Sequence, residues 1–307
     1  KSKVVPGMMS FLSELGYGSL AELVSINKQF KEEGNPLTPA YRYHKRLHEE
    51  QQEMLIETGL KDLYPDMKTF YLEQQHVHGT ANKRMIEAIR SNPHIDGYCV
   101  HALTGGDWIL GAGLLDLWRN PKSYAYEATK AANQARIVSI RTLPRNVYSQ
   151  KGTLLKITGI NDLDEVEASV EISIQSDQGN IVFEETFSTQ WESEINTLYS
   201  KKINTKEWSG HYVVNVKLKD NDKLILTENF MEFEVFNGKD LNAPKGKVAV
   251  LDFEGNLKKF LKKSKVKTID FSTSTPRNIP VLVSTHKAEN NGELEEFKAL
   301  LKFVKAG

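Results

Sequence analysis

The sequence predicts a multidomain chain that is α/β at both ends and all-β between them. Hydrophobic periodicity is helical, between short apolar runs, up to about residue 135. It changes to period two from about 136 to 237, and strand and helix patterns alternate again over 238–307. At 307 residues the chain is too long for one ordinary core. The expected domains are therefore 1–135, 136–237 and 238–307.

In the first of these, MMSFL (8–12) reads as a buried strand. The segments AELVSINKQFKEEG (21–34), YRYHKRLHEEQQEMLIETG (41–59) and QQHVHGTANKRMIEAIRS (74–91) read as three helices. A turn signal, SNPH, leads to the strand candidate IDGYCVHAL (95–103) and the Gly-rich loop TGGDWILGAG (104–113). A fourth helix, NPKSYAYEATKAANQ (120–134), opens with Pro121. Cys99 is the single cysteine, so no internal disulfide can form, and its apolar run predicts a buried structural thiol.

In the middle domain, VEISIQ places Val170, Ile172 and Ile174 on one face and Glu171, Ser173 and Gln175 on the other. YVVNVKL does the same with Tyr212, Val214, Val216 and Leu218. About seven such strands, separated by turns such as SDQGN and KDNDK, suit an immunoglobulin-like sandwich, with a small barrel as the alternative. FNGKDLNAPKG (236–246) reads as a linker. After it KVAVLDF, GNLKKFLKKS, VKTIDF, IPVLVSTH and NGELEEFKALLKFV alternate strand and helix, the pattern of a parallel sheet. This last stretch is too short to close a doubly wound domain.

Charge asks for no polyanionic partner. Lys+Arg and Asp+Glu balance at 40 each, so no net field points to nucleic acid or an anionic membrane. No apolar run approaches the ~20 residues of a membrane-spanning helix. The basic run KKFLKKSKVK reads as a solvated helix face, because only Phe260 interrupts it. Neither a G-x-G-x-x-G nor a G-x-x-x-x-G-K-[ST] pattern occurs, so no phosphate cradle is written. His44 and His48 are four apart on a helix, but no third ligand accompanies them, and a solvated face is expected. His76 and His78 read as packing or solvated residues. No metal or organic cofactor is implied.

The candidate chemistry centres on Glu14, a carboxylate at the end of an apolar strand, followed by Gly16 and Gly18. In a barrel of parallel strands, catalytic groups come from carboxyl ends of strands. A solvated loop glutamate is the competing reading. In the TGGDW loop, Trp108 could stack on a sugar ring or close a core, and Asp107 could orient a hydroxyl or cap a turn. His101, from the same strand end, could bond a sugar hydroxyl or be a satisfied core histidine.

FLSELGYGSLAEL resembles the segment of glycoside hydrolase family 2, the β-galactosidase, β-glucuronidase and β-mannosidase group, where a strand runs into Ser/Thr-Glu-aromatic-Gly. Ser13 and Gly16 match, while Leu15 replaces the aromatic, and Tyr17 is the ring that can stand in for it. Downstream, residues 71–108 are similar to the last barrel helix, eighth strand and Trp-bearing loop of that family. GAGLLDLWRNPKSYAYEATKAANQ resembles its next passage, through Gly113, Leu114, Leu115, Asp116, Pro121, Lys122 and Tyr126. The resemblance covers about 140 residues with the motifs in order.

It implies the last part of a (β/α)8 barrel and retaining hydrolysis of β-linked sugars. Glu14 would be the nucleophile, with Tyr17, His101, Asp107 and Trp108 near the sugar. In such chemistry two carboxyl groups about 5–5.5 Å apart divide attack and proton transfer. The implied partner carboxylate, a Glu after an Asn on the fourth strand, has no counterpart here. The chain alone is therefore expected to hydrolyse nothing, since general acid–base assistance supplies ~10²–10⁴ in rate.

The chain starts KSKVVPGMM without initiator Met or signal-like segment and ends in a helix, so a piece of a longer protein is expected. Its partners would be carbohydrate and the missing N-terminal part or a second copy, and the parent would be periplasmic or secreted. The final segment resembles the start of a flavodoxin-like or amidotransferase-like accessory domain. The rival function is a non-catalytic carbohydrate-binding or scaffold protein. A nucleotide-dependent enzyme centred on 246–307 is a third.

Overall fold

The computed structural model describes residues 7–105, 111–238, 245–284 and 289–306. The chain is mixed α/β with several sheets and forms two compact units, Lys1–Phe236 and Asn237–Gly307.

The first unit begins with β1 (Phe11–Leu15), α1 (Leu23–Glu32), α2 (Pro39–Glu57), α3 (Met67–Arg90), β2 (Gly97–Val100) and α4 (Ala125–Ala132). The Thr38 side chain caps α2, with Pro39 preset in its first turn. Asp66 caps α3 by accepting from the Thr69 amide at 2.8 Å. That cap starts α3 well before the expected QQHVHG boundary, and the added turns bring Phe70 and Tyr71 into a core with Leu23, Ile26, Phe30 and Tyr41.

β1 and β2 pair in parallel, and Leu12, Leu15, Tyr98 and Val100 turn toward Ile86 and Ile89 of α3 and Ala132 of α4. The opposite face is open, which corrects two expectations, and packing on α2 corrects a third. Met8, Met9 and Phe11 are 68%, 81% and 64% exposed, so MMSFL is not a buried strand. Cys99 is exposed, because strand alternation sends Tyr98 and Val100 to the helices and Cys99 away. His44 is buried rather than solvated, since it shares the inner face of α2 with Tyr41. Its ring packs 5.6 Å from Phe30, and its Nδ1 lies 2.8 Å from the Ala40 carbonyl.

The unit continues as β3 (Arg136–Leu143), β4 (Val147–Tyr148), β5 (Thr153–Asn161), β6 (Val166–Ser176), β7 (Ile181–Trp191), β8 (Glu194–Ile203), β9 (Gly210–Lys219) and β10 (Ile225–Phe236). These form a three-stranded sheet, β3-β5-β8, and a five-stranded one, β4-β10-β9-β6-β7. One core serves both, with Val138, Leu155 and Ile157 from the first meeting Val170, Ile172, Trp191, Val214 and Val216 from the second. The period-two pattern is realised residue for residue: Val170, Ile172 and Ile174 are buried, and so are Tyr212, Val214, Val216 and Leu218. Each such side chain contributes ~1.5–3 kcal/mol on leaving water.

In the second unit β11 (Lys247–Leu251), α5 (Asn256–Lys263), β12 (Lys267–Asp270), β13 (Val281–Val283) and α6 (Asn291–Lys305) alternate as expected. The strands form a parallel sheet in the order β12-β11-β13. Val248, Val250 and Leu261 are its core.

Candidate active site

Glu14 is the penultimate residue of β1, at the carboxyl end, and is exposed. Its orientation has a local cause. Leu12 pairs with Tyr98 and Leu15 with Val100, so β1 carries one more residue than β2 between the pairs. That extra residue is a β-bulge, and it leaves Ser13 and Glu14 exposed in succession where alternation would have turned one inward. Cys99 lies on β2 between Tyr98 and Val100, opposite the bulge.

The loop after β1 is pressed against the loop after β2. The Leu15 carbonyl accepts from the His101 amide at 2.7 Å, and the Gly111 carbonyl accepts from the Ser19 amide at 2.8 Å. A Cβ on Gly16 would stand 2.6 Å from the His101 carbonyl oxygen, and one on Gly18 would stand 2.8 Å from that of Gly111. Both obstacles are backbone, so the two glycines are required by close approach rather than by unusual dihedrals.

Polar residues of α3 hold these loops from beneath. Asn82 accepts from the Tyr17 amide at 2.8 Å and donates to the Thr129 hydroxyl at 3.1 Å. Gln75 donates to the Leu20 carbonyl at 3.1 Å and accepts from the Ser123 amide at 2.7 Å. The Ser19 hydroxyl lies 2.9 Å from His78 Nδ1. Burial, and then the nearby Lys122 charge, push the His78 pKa down to about 4, so its imidazole is neutral at pH 7.

Lys122, 2% exposed, donates through Nζ to the carbonyls of Ser19 at 2.6 Å, Ala112 at 3.1 Å and Gly111 at 3.4 Å. Burial pushes its pKa down to about 8 despite the Asp116 carboxylate, which raises it. One buried ammonium thus ties together the loops that follow both strands.

Of the residues singled out in the sequence, Glu14, Tyr17 and His101 are exposed on the carboxyl ends of the paired strands and their loops. Asp107 and Trp108 lie outside the described residues. Asp96 hydrogen-bonds the Ser10 amide at the opposite, amino end of the strand pair and is no second carboxylate for Glu14. Among the described residues, no group of three or more His, Cys, Asp or Glu could hold a metal ion, and no helix is long and apolar enough to cross a membrane. The supporting set Gln75, His78 and Asn82 escaped notice as a unit, although its spacing of three and four residues marks one helix face.

No family model matches this chain, and no curated protein matches it in sequence. Solved structures do resemble it. The β-D-mannosidase from Dictyoglomus thermophilum aligns over 78% of this chain and 29% of its own, at 20% identity and a TM-score of 0.53. The exo-chitosanase CsxA of Amycolatopsis orientalis aligns over 55% and 20%, at 16% identity and a TM-score of 0.42. The β-glucuronidase of Parabacteroides merdae aligns over 32% and 14%, at 19% identity and a TM-score of 0.26. At these identities the first likeness speaks of fold: the chain has a glycoside hydrolase-like fold and spans under a third of the mannosidase's length.

Proposed function

We propose that this chain is the C-terminal portion of a retaining β-glycosidase of the family 2 type, with Glu14 as the nucleophile. The observation that carries the reading is the bulge in β1, which turns Glu14 outward at the carboxyl end of a parallel strand pair backed by helices. Catalytic groups of (β/α)8 barrels occupy that position.

In this reading β1 and β2 are the seventh and eighth barrel strands. A two-stranded sheet is marginal by itself, and the exposed Met8, Met9 and Phe11 supply an apolar surface for neighbouring strands to cover. The two sheets that follow form an immunoglobulin-like domain over about 136–237, and 238–307 is the opening of a flavodoxin-like accessory domain. The substrate is a β-linked oligo- or polysaccharide, with Tyr17 and His101, and Asp107 and Trp108 outside the described residues, as its contacts. A periplasmic or secreted location suits such a substrate.

Glu14 attacks the anomeric carbon, forming a glycosyl-enzyme as the leaving oxygen takes a proton from a second carboxylic acid. Water, deprotonated by that same group, then releases the sugar. The second carboxylate must come from outside this chain, so purified residues 1–307 should not cleave aryl β-glycosides. Joined to its upstream coding sequence the protein should cleave them, and Glu14→Gln should remove that activity by at least ~10³-fold. Retained activity in that variant would sink the assignment. An upstream sequence with no Asn-Glu at a strand end would favour a binding or scaffold role instead.

A further inference from the structure

A cleft of about 380 Å³ lies within the first unit, between α3 on one side and β3 and β10 on the other. It is separate from the Glu14 face. Its size falls at the low end of the ~300–1,000 Å³ typical of small-molecule sites, and its lining combines flat apolar surface with cations.

The flat surface is a ring stack. His76 and Tyr124 lie 4.1 Å apart at 17°, and the Phe230 ring and Met231 line the β10 side. Tyr124 is held at φ 58°, a left-handed conformation unfavourable for a bulky residue. Strain of this kind, ~1–3 kcal/mol, collects at ligand clamps.

The cations outnumber the anions: Lys83, Arg84, Arg141 and Arg145 face Glu87 and Glu232. Their partners decide which of them are free. Lys83 is committed to Glu87 at 3.0 Å and to the Phe230 carbonyl at 3.1 Å. Glu87 also accepts from Asn229 at 2.8 Å, so it is satisfied. Arg145 donates Nε and Nη2 to the Glu232 carbonyl, leaving Nη1 for another acceptor. Among the described residues, the Arg84 guanidinium has no hydrogen-bond or ion-pair partner. Partial desolvation, and then the nearby Arg145 charge, disfavour the Arg84 cation, while Glu232 and Glu87 offset part of that cost without hydrogen-bonding it. Two neighbouring guanidiniums with donors to spare form a site that an anion stabilises.

We propose that this cleft binds a small ring compound bearing a carboxylate, the carboxylate held by Arg84 and Arg145 and the ring face laid on the His76–Tyr124 stack. The proposal goes beyond the glycosidase reading and does not depend on it. Both halves of the ligand are needed: the guanidiniums select the charge, and the stack selects a flat skeleton.

The test is isothermal titration of residues 1–307 with D-glucuronate, benzoate, acetate and glucose. A ring carboxylate should bind at least ~10-fold more tightly than acetate, which lacks the ring, and than glucose, which lacks the charge. Preference between glucuronate and benzoate would say whether the natural source is a sugar acid or an aromatic acid. Arg84→Gln and Arg145→Gln should each weaken binding ~10-fold or more, the scale of one charge-assisted hydrogen bond. Arg84→Lys, which keeps the charge but loses the fork, should bind at an intermediate level. Both Gln variants change exposed side chains, and unaltered circular dichroism and thermal transitions without ligand would verify their folding. A ligand-dependent rise in Tm should accompany binding and vanish in Arg84→Gln. Equal affinity for acetate and the ring acids, wild-type affinity in both Gln variants, or no heat with either ring acid would overturn the proposal.

Discussion

The Lys122 ammonium donates to the Ser19 carbonyl at 2.6 Å, joining the loop before α4 to the loop that follows β1. Lys122→Met keeps much of the stem volume but leaves the Ser19 and Ala112 carbonyls without this donor. A buried acceptor left unsatisfied costs ~1–3 kcal/mol. Urea unfolding at pH 7 should therefore show a loss of ~2 kcal/mol. An unchanged midpoint would mean that the clamp contributes nothing net, the charge's burial cost offsetting its bonds.

Acid should act through His78. Its folded pKa, about 4, lies below the ordinary value of 6.5, so the unfolded chain takes up the proton first as pH falls. The contribution of neutral His78 is complete above pH 6.5 and is lost progressively through pH 4. At ~1.4 kcal/mol per pH unit, that gap corresponds to roughly 3 kcal/mol. His78→Gln, which can still bond the Ser19 hydroxyl, should flatten the fall in stability between pH 6.5 and 4 relative to wild type. Parallel pH profiles for the two proteins would contradict this.

Gly16→Ala should cost more than a typical surface substitution. The added methyl meets the His101 carbonyl at 2.6 Å, and backbone cannot rotate away as a side chain can. Overpacking of this kind costs ~1–3 kcal/mol. The displaced loop is the one that follows Glu14, so if the proposed glycosidase reading holds, the same variant joined to its upstream sequence should also reduce turnover. Thermal unfolding of 1–307 alone separates the stability effect from the catalytic one.

Cys99 should react with a disulfide reagent in the native chain, because it is exposed on the open face of β2. One thiol per chain should be titrated without denaturant. Reaction only after unfolding would place it in a closed interior.

Much of the fold was legible because it is encoded in local periodicity. The alternation in β6 and β9 predicted which side chains enter the shared core, and each of Val170, Ile172, Ile174, Tyr212, Val214, Val216 and Leu218 is buried. The β-α alternation after residue 246 likewise follows from patterns a few residues long. The errors were of another kind. Cys99, Met8 and Met9 are exposed and His44 is buried, against the sequence expectation, because exposure depends on what packs against a segment, and apolar composition does not report that.

For the candidate site, residue type and order by themselves determined that Glu14 ends a strand and that glycines follow it. Only the tertiary structure decided its orientation, through the one-residue mismatch between β1 and β2. It also decided that the following glycines lie against the backbone of a loop some 85–95 residues away, and that Lys122, His78 and Asn82 secure that contact. The physical reason is range. Helical and strand periods are set by neighbouring residues, whereas a bulge, a close backbone approach and a desolvated charge exist only once distant segments have met.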